Sequence, residues 1–134
     1  MDKYNSTKAF LEAFQEAWST QNTAAVLTFF ADDLQFEDIP IGLRAKNKTE
    51  LEGVLHTTFG GVPDFKMEIF DYHEGPGFLV TQWKQTGTMT VDGYGLSLKN
   101  FPYQTITTSI IQRDTNGLIT SLTDNWDTSI FFRK

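Results

Sequence analysis

Apolar positions recur along this chain with two different periods. In the first half the spacing is helical. Phe10, Leu11, Phe14, Ala17 and Trp18 fall on one face of a helix that Ser6 or Asn5 can cap. Gln21-Asn22-Thr23 interrupts it, and Asn22 or Thr23 can start a second helix carrying Ala25, Val26, Phe29 and Phe30. Asp32-Asp33 reads as a turn into a short strand, Leu34–Glu37, with Leu34 and Phe36 on one face. Ile39 to Lys46, punctuated by Pro40 and Gly42, reads as loop. Asn47-Lys48-Thr49-Glu50 has the form of a capping box, and Leu51, Val54, Leu55, Thr58 and Phe59 follow at helical spacing until Gly60-Gly61-Val62-Pro63.

Beyond Pro63 the period becomes two. Phe65–Tyr72 alternates, with Phe65, Met67 and Ile69 on one face, and His73 to Gly77 reads as a turn. Phe78–Val91 is a long strand containing Trp83. A loop opened by Asp92-Gly93-Tyr94-Gly95 reaches Phe101-Pro102. Tyr103–Arg113 is rich in Thr and Ile, as strands are, and Asp114-Thr115-Asn116-Gly117 is a hairpin turn into the last strand, Leu118–Asp127. Phe131 and Phe132 close the chain by packing.

Helices followed by a meander of long strands define an α+β fold. Long strands curve as they twist. The expected architecture is therefore three N-terminal helices packed on a strongly curved, mainly antiparallel sheet, forming a cone with an internal pocket. Its 134 residues suit a single domain, 1–134, able to bury a core without staples.

Composition narrows the chemistry. Twelve Phe, three Trp and four Tyr can fill a core or line a pocket for a small apolar ligand. The absence of Cys excludes thiol catalysis and disulfides, and His56 and His73, expected on a polar helix face and in a turn, are too few for a His-rich metal site. A net charge of −6 argues against nucleic acid or an anionic membrane as partner. No window reaches the length of a membrane span, and no signal peptide is visible. The expectation is a soluble, cytoplasmic protein with no cofactor, since no nucleotide or metal motif is present.

Two acids interrupt apolar patterns. Asp38 lies between Phe36 and Ile39 at a strand end, and Asp124 lies between Leu122 and Trp126 on the face that Leu118 shares. Burial destabilises a charged carboxylate and brings its pKa toward the range a general base needs. The expected site is Asp38 and Asp124, walled by Phe14, Trp18, Trp83 and Trp126, with Tyr103 at its mouth. A bulge in the last strand would put Asp127 there instead of Asp124. The alternative for Asp38 is a turn cap before Pro40; for Asp124, an edge acid paired with Lys or Arg.

Several strings in order resemble the nuclear transport factor 2-like superfamily and, within it, the SnoaL-like group of polyketide cyclases, with ketosteroid isomerase a more distant relative. They are Phe30-Ala31-Asp32-Asp33 with Phe36-Glu37-Asp38; Val62-Pro63-Asp64-Phe65; Trp83-Lys84-Gln85-Thr86-Gly87-Thr88; Arg113 before Asn116-Gly117-Leu118-Ile119; and Asn125-Trp126-Asp127. The resemblance spans Phe10 to Trp126. By resemblance to the isomerase, the general base falls on Asp38. The oxyanion-binding Tyr falls on Phe14, which has no donor, and the region of the second acid, Thr107 to Ile111, contains no acid. By resemblance to the cyclases, the acid/base Asp falls on Asp124 and its His companion on Ile110. The implied function is a cofactor-free cyclase or isomerase, or a dehydratase, acting on a small polyketide-like or steroid-like carbonyl compound. The alternatives are a carrier that binds such a molecule without turnover and an interaction module that uses the sheet as an assembly surface. The resemblance also implies a homodimer formed through the outer sheet face.

Overall fold

The computed structural model describes residues 3–93 and 96–131. Tyr94 and Gly95 of the expected loop and the closing Phe132 lie outside the described residues.

Helix α1 spans Thr7–Ser19 and α2 spans Thr23–Leu27. Of the candidate caps, Ser6 and Asn22 do the work: Ser6 Oγ accepts the Ala9 N–H at 3.0 Å, and Asn22 Oδ1 accepts the Ala25 N–H at 3.0 Å. Helix α3, Lys48–Gly61, starts on Asn47, whose side chain accepts from Glu50 N–H at 2.8 Å. Glu50 reaches back, but to the Lys46 N–H at 3.0 Å, one residue before the cap.

Six strands form one sheet: β1 Phe30–Asp38, β2 Leu43–Ala45, β3 Lys66–Gly75, β4 Phe78–Met89, β5 Phe101–Arg113 and β6 Ile119–Trp126. Their order is β2-β1-β6-β5-β4-β3, and β1 with β6 is the parallel pair among antiparallel neighbours. The sheet is mainly antiparallel, as expected, and the helices cover one face. Phe10, Phe14, Phe29, Phe30, Leu34, Leu51, Leu55 and Ile119 are buried between the layers.

Four local expectations are corrected. Phe29 and Phe30 follow α2 rather than ride on it, and Phe30 already pairs with Ile119. Asp32-Asp33 is not a turn between elements. Between Phe30↔Ile119 and Gln35↔Ser121, β1 advances five positions while β6 advances two, so the exposed acids sit in a bulge within one strand. The segment after Asp38 is not plain loop: a 3-10 turn over Ile39–Ile41 leads into β2, which pairs back on β1. His73 and Glu74 belong to β3, and the β3–β4 turn is Pro76-Gly77 alone, with Gly77 at φ +78°.

The β5 strand inverts the usual rule of apolar in, polar out. Tyr103, Thr105, Thr107, Ser109 and Ile111 point inward and are buried, while Ile106 and Ile110 point outward and are about half exposed.

Candidate functional site

A cavity of about 180 Å³ lies between α1, α3 and the inner face of the sheet. Trp18 comes from α1, Val54, Thr57 and Thr58 from α3, and Phe65, Trp83, Gln85, Tyr103 and Trp126 from the segments beneath. Phe131, in a 3-10 turn after β6, closes one side through ring contacts with Tyr103, Trp126 and Phe101. Asp38 and Asp124 both line this cavity.

The sheet register explains how two acids meet there. Asp38 and Asp124 are direct partners across the parallel β1–β6 pair. Side chains at paired positions of neighbouring strands share a face, so both carboxylates point to the helix side. Asp38 is delivered at the end of β1, just before Pro40, which lacks a backbone donor to continue the ladder.

Each carboxylate is held by an indole. Trp126 Nε1–H donates directly to Asp38 Oδ1 at 2.9 Å. Trp83 Nε1–H donates to Ser109 Oγ at 2.8 Å, and the Ser109 hydroxyl donates to Asp124 Oδ1. The two tryptophans pair with opposite sides of one residue, Thr107 on β5. Beyond them, Tyr103 Oη–H donates to Gln85 Oε1 at 2.7 Å, and Gln85 Nε2–H donates weakly to Thr107 Oγ1 at 3.4 Å.

Burial dominates the electrostatics. It pushes the Asp38 carboxyl up to about 6, against the opposing pull of the Trp126 N–H and a backbone hydrogen bond from Ile41. It pushes Asp124 up to about 7; the Ser109 hydrogen bond opposes this and the neighbouring charge of Asp38 adds to it. No Lys, Arg or His lines the cavity among the described residues.

Six of the eight residues expected at the site line the cavity: Asp38, Asp124, Trp18, Trp83, Tyr103 and Trp126. Two do not. Phe14 is buried in the core against Phe10, Phe29, Phe30 and Trp18. Ile110 points out of the opposite sheet face, 49% exposed. The residue opposite Asp124 on β5 is Ser109, next to the Ile110 position that the cyclase resemblance gave to histidine. Asp127 is also excluded from the cavity: it is exposed beyond the end of β6, where its carboxylate accepts the Ser129 N–H at 2.9 Å. Leu118 precedes β6 and does not share the face of Leu122 and Asp124.

Sequence reasoning missed Ser109, Gln85 and Phe36. Counting by two from Tyr103 identifies Ser109 as inward, and its polar side chain on a buried face was the available signal.

This fold, with paired acids in an aromatic cavity, is that of the nuclear transport factor 2-like, ketosteroid isomerase-like class. Residues 11–122 match the model of the SnoaL-like domain, and the chain belongs to that family. Among solved structures it is similar to a hypothetical protein of ketosteroid isomerase-like fold from Catenulispora acidiphila, crystallised with trimethylamine (TM-score 0.80, 19% identity, 94% of this chain and 91% of that one). It is similar to a candidate SnoaL-like polyketide cyclase from Shewanella putrefaciens (0.79, 14%, 92% and 90%). It also resembles an epoxide hydrolase of the LEH-like type from M. tuberculosis (0.70, 20%, 91% and 83%). At these identities the likeness is one of fold. No curated protein matches the chain.

Proposed function

We propose that this protein is a cofactor-free acid–base catalyst acting on a small apolar carbonyl compound, as a cyclase or isomerase. The observation that carries the reading is the placement of Asp38 and Asp124 as direct partners in an apolar cavity, where burial brings both toward neutral pH. Near pH 7 such a pair can hold one carboxylate and one carboxylic acid.

Asp38, the less buried of the two and the one that accepts both the Trp126 indole N–H and a backbone hydrogen bond from Ile41, takes the proton from carbon next to the substrate carbonyl. The C–H pair moves into the enol, and protonated Asp124 gives its proton to the carbonyl oxygen. In isomerisation Asp38 returns its proton to a different carbon, and the enol O–H proton goes back to Asp124 as the carbonyl re-forms. In cyclisation the enol carbon attacks a second carbonyl of the same molecule, that oxygen takes the proton held by Asp38, and the enol O–H proton goes back to Asp124. A positioned acid–base group contributes about 10²–10⁴ in rate.

One further feature bears on the size of the ligand. An engineered apolar cavity of about 150 Å³ in another protein holds benzene. A cavity of about 180 Å³ therefore favours one ring with a short substituent over a four-ring steroid. Asp38→Asn and Asp124→Asn, assayed against small cyclic enones and diketones, should each lower turnover at least about a hundredfold. Turnover unchanged in both would overturn the reading.

A second reading, binding without turnover, is favoured by two carboxylates facing aromatic rings with no basic side chain in the lining among the described residues. That arrangement suits a small alkylammonium ion, and the Catenulispora structure carries trimethylamine. Tight binding of tetramethylammonium, with no turnover of any carbonyl compound, would favour it. In either case the outward Ile106 and Ile110 support a homodimer through the outer sheet face. Sedimentation as a monomer at micromolar concentration would count against that.

A further inference from the structure

The hydrogen bonds around Asp124 have a fixed direction. Indole N–H is a donor only. Trp83 therefore occupies a lone pair of Ser109 Oγ, at 2.8 Å, and turns the hydroxyl proton away from itself. The acceptor in line with that proton is Asp124 Oδ1. An oxygen that accepts this bond is a poor place for the acid proton. The other oxygen, Oδ2, has no hydrogen-bond partner among the described residues, and Asp124 borders the cavity.

Asp38 is treated in the same way with one link fewer. Trp126 donates straight to its Oδ1, which fixes that oxygen as an acceptor. The two indoles lie in one row of the sheet, on either side of Thr107, and the two acids lie in the next row, with Ser109 beside Asp124. One strand of difference between indole and acid is bridged by the Ser109 hydroxyl.

We propose that Trp83 and Ser109 are positioning residues that fix Asp124 Oδ1 as an acceptor and leave Oδ2 as the oxygen that carries and delivers the proton, while Trp126 fixes the orientation of Asp38 directly. The proposal rests on the acid–base reading of the site and assigns its roles: Asp124 is the acid and Asp38 the base. In the transfer, the Asp124 Oδ2–H bond breaks, the proton passes to the substrate oxygen, and the electron pair stays on the carboxylate. The Ser109 bond to Oδ1 strengthens as that charge develops. Besides Asp38, the titratable side chain that shares the cavity lining with Asp124 is Tyr103, whose hydroxyl is committed to Gln85.

The test is a carbon-13 titration of aspartate carboxyl groups in the intact protein, which requires no substrate. Asp124 and Asp38 resonances are assigned from Asp124→Asn and Asp38→Asn. Ser109→Ala removes the bond that favours the charged form, so the Asp124 midpoint should rise, with proton affinity up about tenfold or more. Ser109→Thr keeps the hydroxyl and should stay near the parent. Trp83→Phe frees the hydroxyl to turn and should move Asp124 in the same direction by less. Trp126→Phe should raise Asp38 instead. If Ser109→Ala does not fold, Trp83→Phe against Ser109→Thr decides the matter. An Asp124 midpoint unmoved in the folded variants overturns the relay. A parent in which Asp38 titrates above Asp124 overturns the assignment of Asp124 as the acid. The expected midpoint shifts in a protein that turns over no carbonyl compound would uphold the relay and reject the enzyme reading. In an active protein, the same variants should move the limb of the kcat–pH profile with the Asp124 midpoint.

Discussion

Asp38 and Asp124 face each other across the parallel β1–β6 pair, and each is kept from water by the aromatic walls of the cavity. Two acids raised from 3.8 to about 6 and about 7 bind protons more tightly folded than unfolded. Between about pH 4 and about pH 7 the folded state then holds more protons, so stability falls as pH rises through that window. A tenfold change in proton affinity is about 1.4 kcal/mol. Asp124→Asn should therefore stabilise the fold at pH above the Asp124 value, by about 1–3 kcal/mol in urea unfolding, and by much less in mild acid. A variant less stable than the parent at both ends would show that the ionised pair is compensated in the fold.

Phe14 tests whether an oxyanion donor can be restored where the isomerase resemblance expects one. Its ring is 3% exposed and stacks among Phe10, Phe29 and Trp18. Phe14→Tyr would push a hydroxyl into a packed core rather than the cavity, and should cost about 1–3 kcal/mol without raising turnover. Ile110→His, at the position the cyclase resemblance matches to histidine, should leave the Asp124 titration unchanged, because Ile110 points out of the far face. Enhanced turnover in either variant would mean that the site extends beyond this cavity.

The sequence made the fold legible through its periods. The helical spacing of Phe10 to Trp18, the Asn47 box and the two-residue alternation after Pro63 each match an observed element. Asp38 and Asp124 stood out because each broke an apolar pattern. What failed had common physical causes. Strict alternation assumes an unbroken ladder, whereas β1 carries a bulge at Asp32-Asp33 and the β5–β6 register shifts after Gln112. The cyclase resemblance put its histidine on Ile110, whereas the residue paired with Asp124 is Ser109. Local rules fail where function competes with packing; on β5 the inward, polar Ser109 sits beside Asp124 and donates to it.

Trp18 contributes 5% of its surface to solvent, yet its buried N–H has no acceptor among the described residues. Leaving such a donor unpaired costs about 1–3 kcal/mol. Trp18→Phe removes the unpaired donor along with some packing volume. The two effects oppose, so the ligand-free protein should change by about 1 kcal/mol or less. Because the N–H is itself closed off from the cavity, affinities for a carbonyl ligand and for a hydrocarbon of the same shape should change alike. A loss confined to the carbonyl ligand would show that the N–H reaches the ligand.

Phe131 bounds the volume of the cavity. Its ring lies 5.5 Å from Tyr103 and 5.9 Å from Trp126, and it closes the cavity from the short turn after β6. That turn is held at one end by the Asp127 carboxylate on the Ser129 N–H, so the ring can be removed without dismantling a strand. Phe131→Ala should cost about 3 kcal/mol or somewhat more, the usual toll for a buried Phe, and should join its vacated volume to the existing cavity of about 180 Å³. Binding should then shift from single-ring to two-ring ketones, read as a reversal in the ratio of their dissociation constants. The Asp38 midpoint should fall, because burial is what raises it and Phe131 borders the same cavity and touches Trp126. If the ratio does not change, the ligand enters from the α3 side, where Val54, Thr57 and Thr58 form the wall, and those residues set the limit instead.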